Sequence, residues 1–151
     1  MAAVALTGKD TLIINNRSLS DLADADVATL EFPTEIASLK TGKNGNSIYS
    51  LNETGRQADL KIKLIRGSAD DKFMQNLLTQ QQANFSGFIL MTGTFIKNIG
   101  DGKGNVLKDT YELSGGIFTK QIMAKSNVEG DAAQSTSEYM LKFSNAPRVI
   151  T

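Results

Sequence analysis

The chain has no cysteine, no histidine and no tryptophan, and only two prolines in 151 residues. Without cysteine there is no disulfide scaffold, no thiolate metal site and no cysteine nucleophile. Without histidine the usual general base, the Ser-His triad and the commonest zinc ligand are missing as well. Carboxylates and lysines can still catalyse, but here they are scattered over turns and strand faces, where solvated charge is the better account of each. The expectation is a protein that is not an enzyme and holds no cofactor or metal. Sixteen basic residues balance sixteen acidic ones. That balance argues against a dedicated nucleic-acid binder and leaves little repulsion to resist self-association. Seven Phe and three Tyr give little from which to build a base-stacking platform. The opening MAAVALTGKD has neither the basic start nor the apolar run of a signal peptide or membrane span. No membrane insertion is expected, and folding is expected in a cytoplasm.

What is present centres on residues 57 to 85. Ala58, Leu60, Ile62 and Leu64 alternate with Asp59, Lys61 and Lys63, the period-2 pattern of a half-buried strand, and Gly67 ends it. Ser68 stands three residues before Asp71, a capping-box arrangement that supplies acceptors to the first N–H groups of a helix, with Asp70 and Asp71 at its positive end. Phe73, Met74, Leu77 and Leu78 then form one narrow apolar stripe, with Gln75, Asn76, Gln80, Gln81 and Gln82 facing away. One short helix cannot cover a sheet. The rest of the chain must supply strands, and their open edges must be closed by something.

The length fits one domain over residues 1–151. Residues 10–15 read as a short strand closed by an Asn15-Asn16 turn, residues 21–26 as a polar connector, and Val27 to Phe32 as a strand that Pro33 makes an edge or an exit. Residues 38–56 read as the long irregular part, an extended loop or arm with Thr41-Gly42 and Asn44-Gly45 as turn signals and Ile48, Tyr49 and Leu51 as its apolar anchors. Two readings compete there: a floppy hairpin tip, or an arm that orders against another subunit. Phe85 to Lys97 read as a central strand covered on both faces. The GDGKGN stretch at 100–105 is a turn needing positive φ. It lacks the helix of a phosphate loop and the terminal Glu of a calcium loop. Residues 106–124 read as a long strand broken at Gly115-Gly116, a place to bend between two sheets, and Asn127 to Gln134 as a polar loop. The last strand, 136–143, puts Tyr139, Leu141 and Phe143 inward and Glu138, Met140 and Lys142 outward, and Pro147 ends it.

The order of these signals carries a resemblance. A strand pair at the start is followed by a Gly/Asn-rich loop, Ser50-Leu51 and Gly55-Arg56. Next come the alternating Asp59-Leu60-Lys61-Ile62-Lys63-Leu64 and the capped helix from Ser68 to Gln82. The Asp/Gly hairpin at 101–105, Phe118-Thr119-Lys120 and the closing Glu138 to Phe143 complete the series. Together they resemble the tail tube proteins of contractile-tailed bacteriophages, more narrowly those of Mu-like and related myophages, over nearly the whole chain. One departure stands at Ile122, where the pattern commonly carries proline.

The resemblance implies a mainly β fold of two packed antiparallel sheets, a β-sandwich or partial barrel, with one flanking α-helix. It implies hexameric rings stacked into the hollow tube through which the genome leaves the virion, assembled in the host bacterial cytoplasm. Its partners would be further copies of the chain, the tail sheath, the baseplate and tail terminator proteins. The tape-measure protein and double-stranded DNA would pass through the lumen without specific binding. Glu31, Asp59, Lys61, Lys63, Glu138 and Lys142, on outward strand faces, are then the candidates for the lumen or an inter-subunit face. Thr41, Gly42, Asn44, Gly45, Ile48, Tyr49 and Leu51 are the candidates for an inter-ring arm. The alternatives are the tube of a contractile injection or secretion machine, which would share the fold, and a small β-sandwich ligand-binding module, which would be a stable monomer with an aromatic ledge.

Overall fold

The computed structural model of the chain describes residues 5–6, 11–20, 28–122 and 136–151. The polar connector expected at 21–26 and the loop expected at 127–134 lie outside them. The described residues are mainly β, with two antiparallel sheets and one α-helix. The larger sheet contains β1 (Ala5–Leu6), β2 (Thr11–Ile14), β3 (Arg17–Ser18), β4 (Ala28–Glu31), β7 (Ala58–Ile65), β8 (Met91–Gly100), β9 (Val106–Phe118), β10 (Thr136–Asn145) and β11 (Arg148–Ile150). Its order is β3-β2-β8-β9-β10-β7-β4, with β1 paired to β8 and β11 to β9. The smaller sheet is the hairpin of β5 (Ala37–Thr41) and β6 (Ser47–Leu51), and the helix α1 spans Ala69–Ala83.

The alternation in β7 and β10 is obeyed residue by residue. Ala58, Leu60, Ile62 and Leu64 face Tyr139, Leu141 and Phe143 across the ladder, all buried. Met74 and Leu78 of α1 pack onto this surface with Leu12, Ile14, Met91, Leu113 and Phe118. In a flat sheet β4 and β9 would stand three strand spacings apart, about 14 Å. The rings of Phe32, just past β4, and Tyr111 of β9 nevertheless lie with centroids 6.2 Å apart. The sheet therefore curls over its own core, with α1 filling the inner side.

Several local expectations are corrected. Residues 38–56 are not irregular: they form the β5–β6 hairpin with Leu39 opposite Tyr49 and Lys40 opposite Ile48, closed by a turn in which Gly45 takes φ +81°. A short 3-10 turn, Glu53–Arg56, then leads into β7. Phe85–Leu90 are not strand. Asn84 Oδ1 accepts from the Gly87 N–H at 3.1 Å, and the Phe88 N–H donates to the Phe85 carbonyl. That turn carries the apolar run off the sheet, so β8 starts only at Met91, and on it only Met91 and Gly93 are buried. The strand before Pro147 does end, at Asn145, but it is not the last: the chain resumes as β11 alongside β9, with the Glu112 N–H donating to the Pro147 carbonyl. Gly115, at φ +65°, absorbs an irregularity in β9 without breaking it. The turn at 101–105 is closed by the Asp101 carboxylate, which accepts from the Lys103 and Asn105 backbone and from the Asn105 side chain.

The helix is held by polar clamps as well as by its stripe. Ser68 Oγ accepts from the Asp71 N–H, and the Asp71 carboxylate takes the Gly67 N–H, the Ser137 hydroxyl and the Tyr139 phenol. Asp70, only 1% exposed, accepts from Arg17 Nε at 2.9 Å and from the Ser20 N–H at 2.6 Å. The stripe pattern places Gln81 outward, but it is buried: its amide donates to the Phe118 carbonyl and accepts from the Phe118 N–H, both at 2.8 Å. Gln81→Leu keeps the volume and strands both backbone groups of Phe118. An unfolding free energy about 2–4 kcal/mol lower is expected by chemical denaturation, whereas Gln82→Leu, on the exposed face, should change it by less than about 0.5 kcal/mol.

Candidate interaction surfaces

Two surfaces stand out from this frame. The first is the outward face of β4, β7 and β10. Because inward residues on these strands are apolar, the period of two sets Glu31, Asp59, Lys61, Lys63, Glu138 and Lys142 on one common side. The structure brings all six together. Glu31 pairs with Asp59 in register, Glu138 with Lys63, and Lys142 with Asp59. Lys61 Nζ lies 3.0 Å from Glu138 Oε1, and Lys142 Nζ lies 3.8 Å from Asp59 Oδ1. All but Glu138 line, with Thr29, Thr119, Lys120 and Met140, a shallow concavity of about 510 Å³. At this exposure such ion pairs contribute about 0–1 kcal/mol each. Their effect is on the surface: positive and negative groups alternate over a few ångströms, so the face presents no strong field of either sign.

The second surface is the hairpin, every residue of which is exposed. Register divides it into two faces. Ala37, Leu39, Tyr49 and Leu51 share one, and Ser38, Lys40, Ile48 and Ser50 the other. Of the three anchors read from the sequence, Tyr49 and Leu51 therefore stand together, with Leu39 as a third member, while Ile48 lies on the reverse beside Lys40. Tyr49 is 79% and Leu51 75% exposed. Thr41, Gly42, Asn44 and Gly45 make the tip, where the Gly42 N–H donates to the Asn46 carbonyl and the Gly45 N–H to the Gly42 carbonyl. The base is fastened: Asn52 donates from its backbone to the Ile36 carbonyl and from its side chain to the Glu35 carbonyl, both at 2.8 Å.

At the far end of the chain, Arg148 straps β11 onto β9. Its guanidinium makes two hydrogen bonds of 2.7 Å to the Asp109 carboxylate and lies over the Tyr111 ring. These bonds hold the Asp109 carboxyl below the usual carboxylate range. A depressed folded pKa contributes stability that is present above the unfolded value, about 3.9, and is lost as the pH falls through the folded one. Thermal melts should therefore show an acid-side loss below about pH 4 that is smaller in Asp109→Asn, which starts less stable at neutral pH. Tyr139 acts on the other limb. Burial first, and the neighbouring Asp71 carboxylate second, push its phenol well above the ordinary tyrosine value. Its contribution is present up to about pH 10 and falls as the unfolded chain ionises above that.

Among the described residues no group of three acidic, His or Cys side chains is placed to hold a metal ion, and no helix is long and apolar enough to cross a membrane. No protein-family model matches the chain, and no curated protein matches it either.

Proposed function

We propose that the chain is the tube subunit of a contractile phage tail, assembling as hexameric rings that stack into a conduit for DNA. The observation that carries this reading is the β5–β6 hairpin. A monomer gains nothing from extending a fully exposed two-stranded sheet with Leu39, Tyr49 and Leu51 on one side, whereas an assembly buries it. The order of motifs along the sequence and the mainly β fold with one helix agree with it. So do the sheet margins: among the described residues no strand pairs with the outer edge of β3 or β4, and a closed ring of copies covers such edges. The mixed-charge face of β4, β7 and β10 is assigned to the bore. Double-stranded DNA binds a protein in proportion to the phosphates it neutralises. A wall where Lys61 and Lys142 are already countered by Glu138 and Asp59 lets it slide.

Negative-stain microscopy of the purified chain at high concentration tests the reading. Rings or tubes of uniform bore are expected. A chain that stays monomeric at every salt concentration would overturn the proposal in favour of a small binding module.

A further inference from the structure

A second apolar surface lies away from the hairpin, where α1 gives way to β8. Leu77, Gln80, Ala83, Asn84, Gly87, Phe88 and Ile89 line a groove of about 500 Å³ together with Asn15. Ile89, on its rim, is 85% exposed, and Phe85 and Leu90 beside it are exposed as well. Nothing charged occurs in the sequence from Phe73 to Ile96. The last turn of α1 contains no basic residue, so its terminal carbonyls present the negative end of the helix dipole uncompensated.

The hairpin is the complement of this groove. From Ile36 to Asn52 its only charges are Lys40 and Lys43, both positive, and Lys43 sits in the turn between β5 and β6. One face is apolar and about as wide as two strands. The two surfaces also attach to opposite halves of the large sheet. The hairpin is inserted between the margin strand β4 and β7, while the groove leads into β8, which pairs with β2 toward the other margin. Two different patches that match each other make a head-to-tail contact, the kind that repeats around a ring.

We infer that the apolar face of the hairpin, Leu39, Tyr49 and Leu51, seats on the Leu77–Phe88–Ile89 groove of a second copy of this chain, with Lys43 at the carbonyl end of that copy's α1. The inference rests on the reading above in taking a second copy as the occupant, but it does not require a tube.

The absence of cysteine makes the test clean. Tyr49→Cys and Ile89→Cys are prepared as separate chains, mixed and mildly oxidised, with Ile48→Cys, on the opposite hairpin face, replacing Tyr49→Cys in the control. Residues in contact meet at an effective concentration near millimolar, so at micromolar protein the 49–89 disulfide dimer should form about tenfold or more faster than the 48–89 dimer. Ile89→Asp should abolish association of otherwise unmodified chains without moving the thermal midpoint, because the side chain is exposed. A 49–89 product no faster than the 48–89 control would overturn the docking. So would Tyr49→Cys pairing chiefly with itself, which would mean that hairpins meet each other. Tubes in the micrographs without the 49–89 product would sink the docking and leave the tube standing. The product in particles without a bore would do the reverse.

Discussion

Phe143→Ala is expected to lower the unfolding free energy by about 3–5 kcal/mol, the usual cost of removing a fully buried aromatic ring. Phe143 has no exposed surface and sits at the crossing of three strands, paired with Ala58 of β7 and with Gly116 of β9. For a chain of this length the thermal midpoint should fall by roughly 10–15 °C. Gly116 explains why the ring fits. A Cβ at that position would run into the Phe143 ring, with Cδ1 at 2.7 Å, and would also come within 3.1 Å of the Met91 carbonyl oxygen. Gly116→Ala should therefore cost about 1–3 kcal/mol in the parent chain, through overpacking. In the Phe143→Ala background the ring is gone and the added methyl enters the space it leaves, so the double variant should be no less stable than Phe143→Ala alone. Denaturant unfolding of the four chains measures the coupling. An equal cost of Gly116→Ala in both backgrounds would show that the carbonyl, not the ring, sets the requirement for glycine.

Much of this core is legible in the sequence alone. The alternation in β7 and β10 identifies seven inward side chains, and the structure buries each of them, because a one-residue slip would expose the whole set. The helix start was legible from Ser68 and Asp71, because capping is local chemistry. Gln81 was not. Its neighbours Gln80 and Gln82 are exposed, and composition cannot single out the one glutamine facing the Phe118 backbone, 37 residues away. The Arg17–Asp70 pair, 53 residues apart, was hidden for the same reason. The apolar run from Phe85 to Leu90 has strand composition but does not pair. The signal available was Asn84 with Gly87, a turn pair that outweighs β propensity where no neighbouring strand competes. In the hairpin the turn residues and two anchors could be read, but Leu39 could not. Its membership of the apolar face depends on the register that sets it opposite Tyr49, which the turn fixes and the sequence pattern leaves open.

The same register gives the largest expected effect on assembly. Tyr49→Asp combined with Leu51→Asp should leave the fold intact and remove higher-order association. Neither side chain belongs to the buried core, and the hairpin is tied to the body through Asn52 and the Glu35–Ile36 backbone rather than through its apolar face. Far-ultraviolet circular dichroism and the thermal midpoint of the dilute chain should therefore match the parent. Association should not. Large apolar anchors at the centre of a contact contribute about 2 kcal/mol or more each, so losing two weakens every interface by about a thousandfold. A charge placed at the buried position adds a desolvation cost. In a closed ring of the kind proposed each copy would make the same contact, so the loss would recur at every step and raise the threshold concentration for assembly accordingly. Sedimentation across a concentration series measures it. Deleting residues 41–47 removes the tip with Lys43 and shortens both strands, and should give the same result. If either variant assembled at the parent's threshold concentration, the hairpin would be a passive projection, and the contacts between copies would have to come from the margins at β3 and β4 alone.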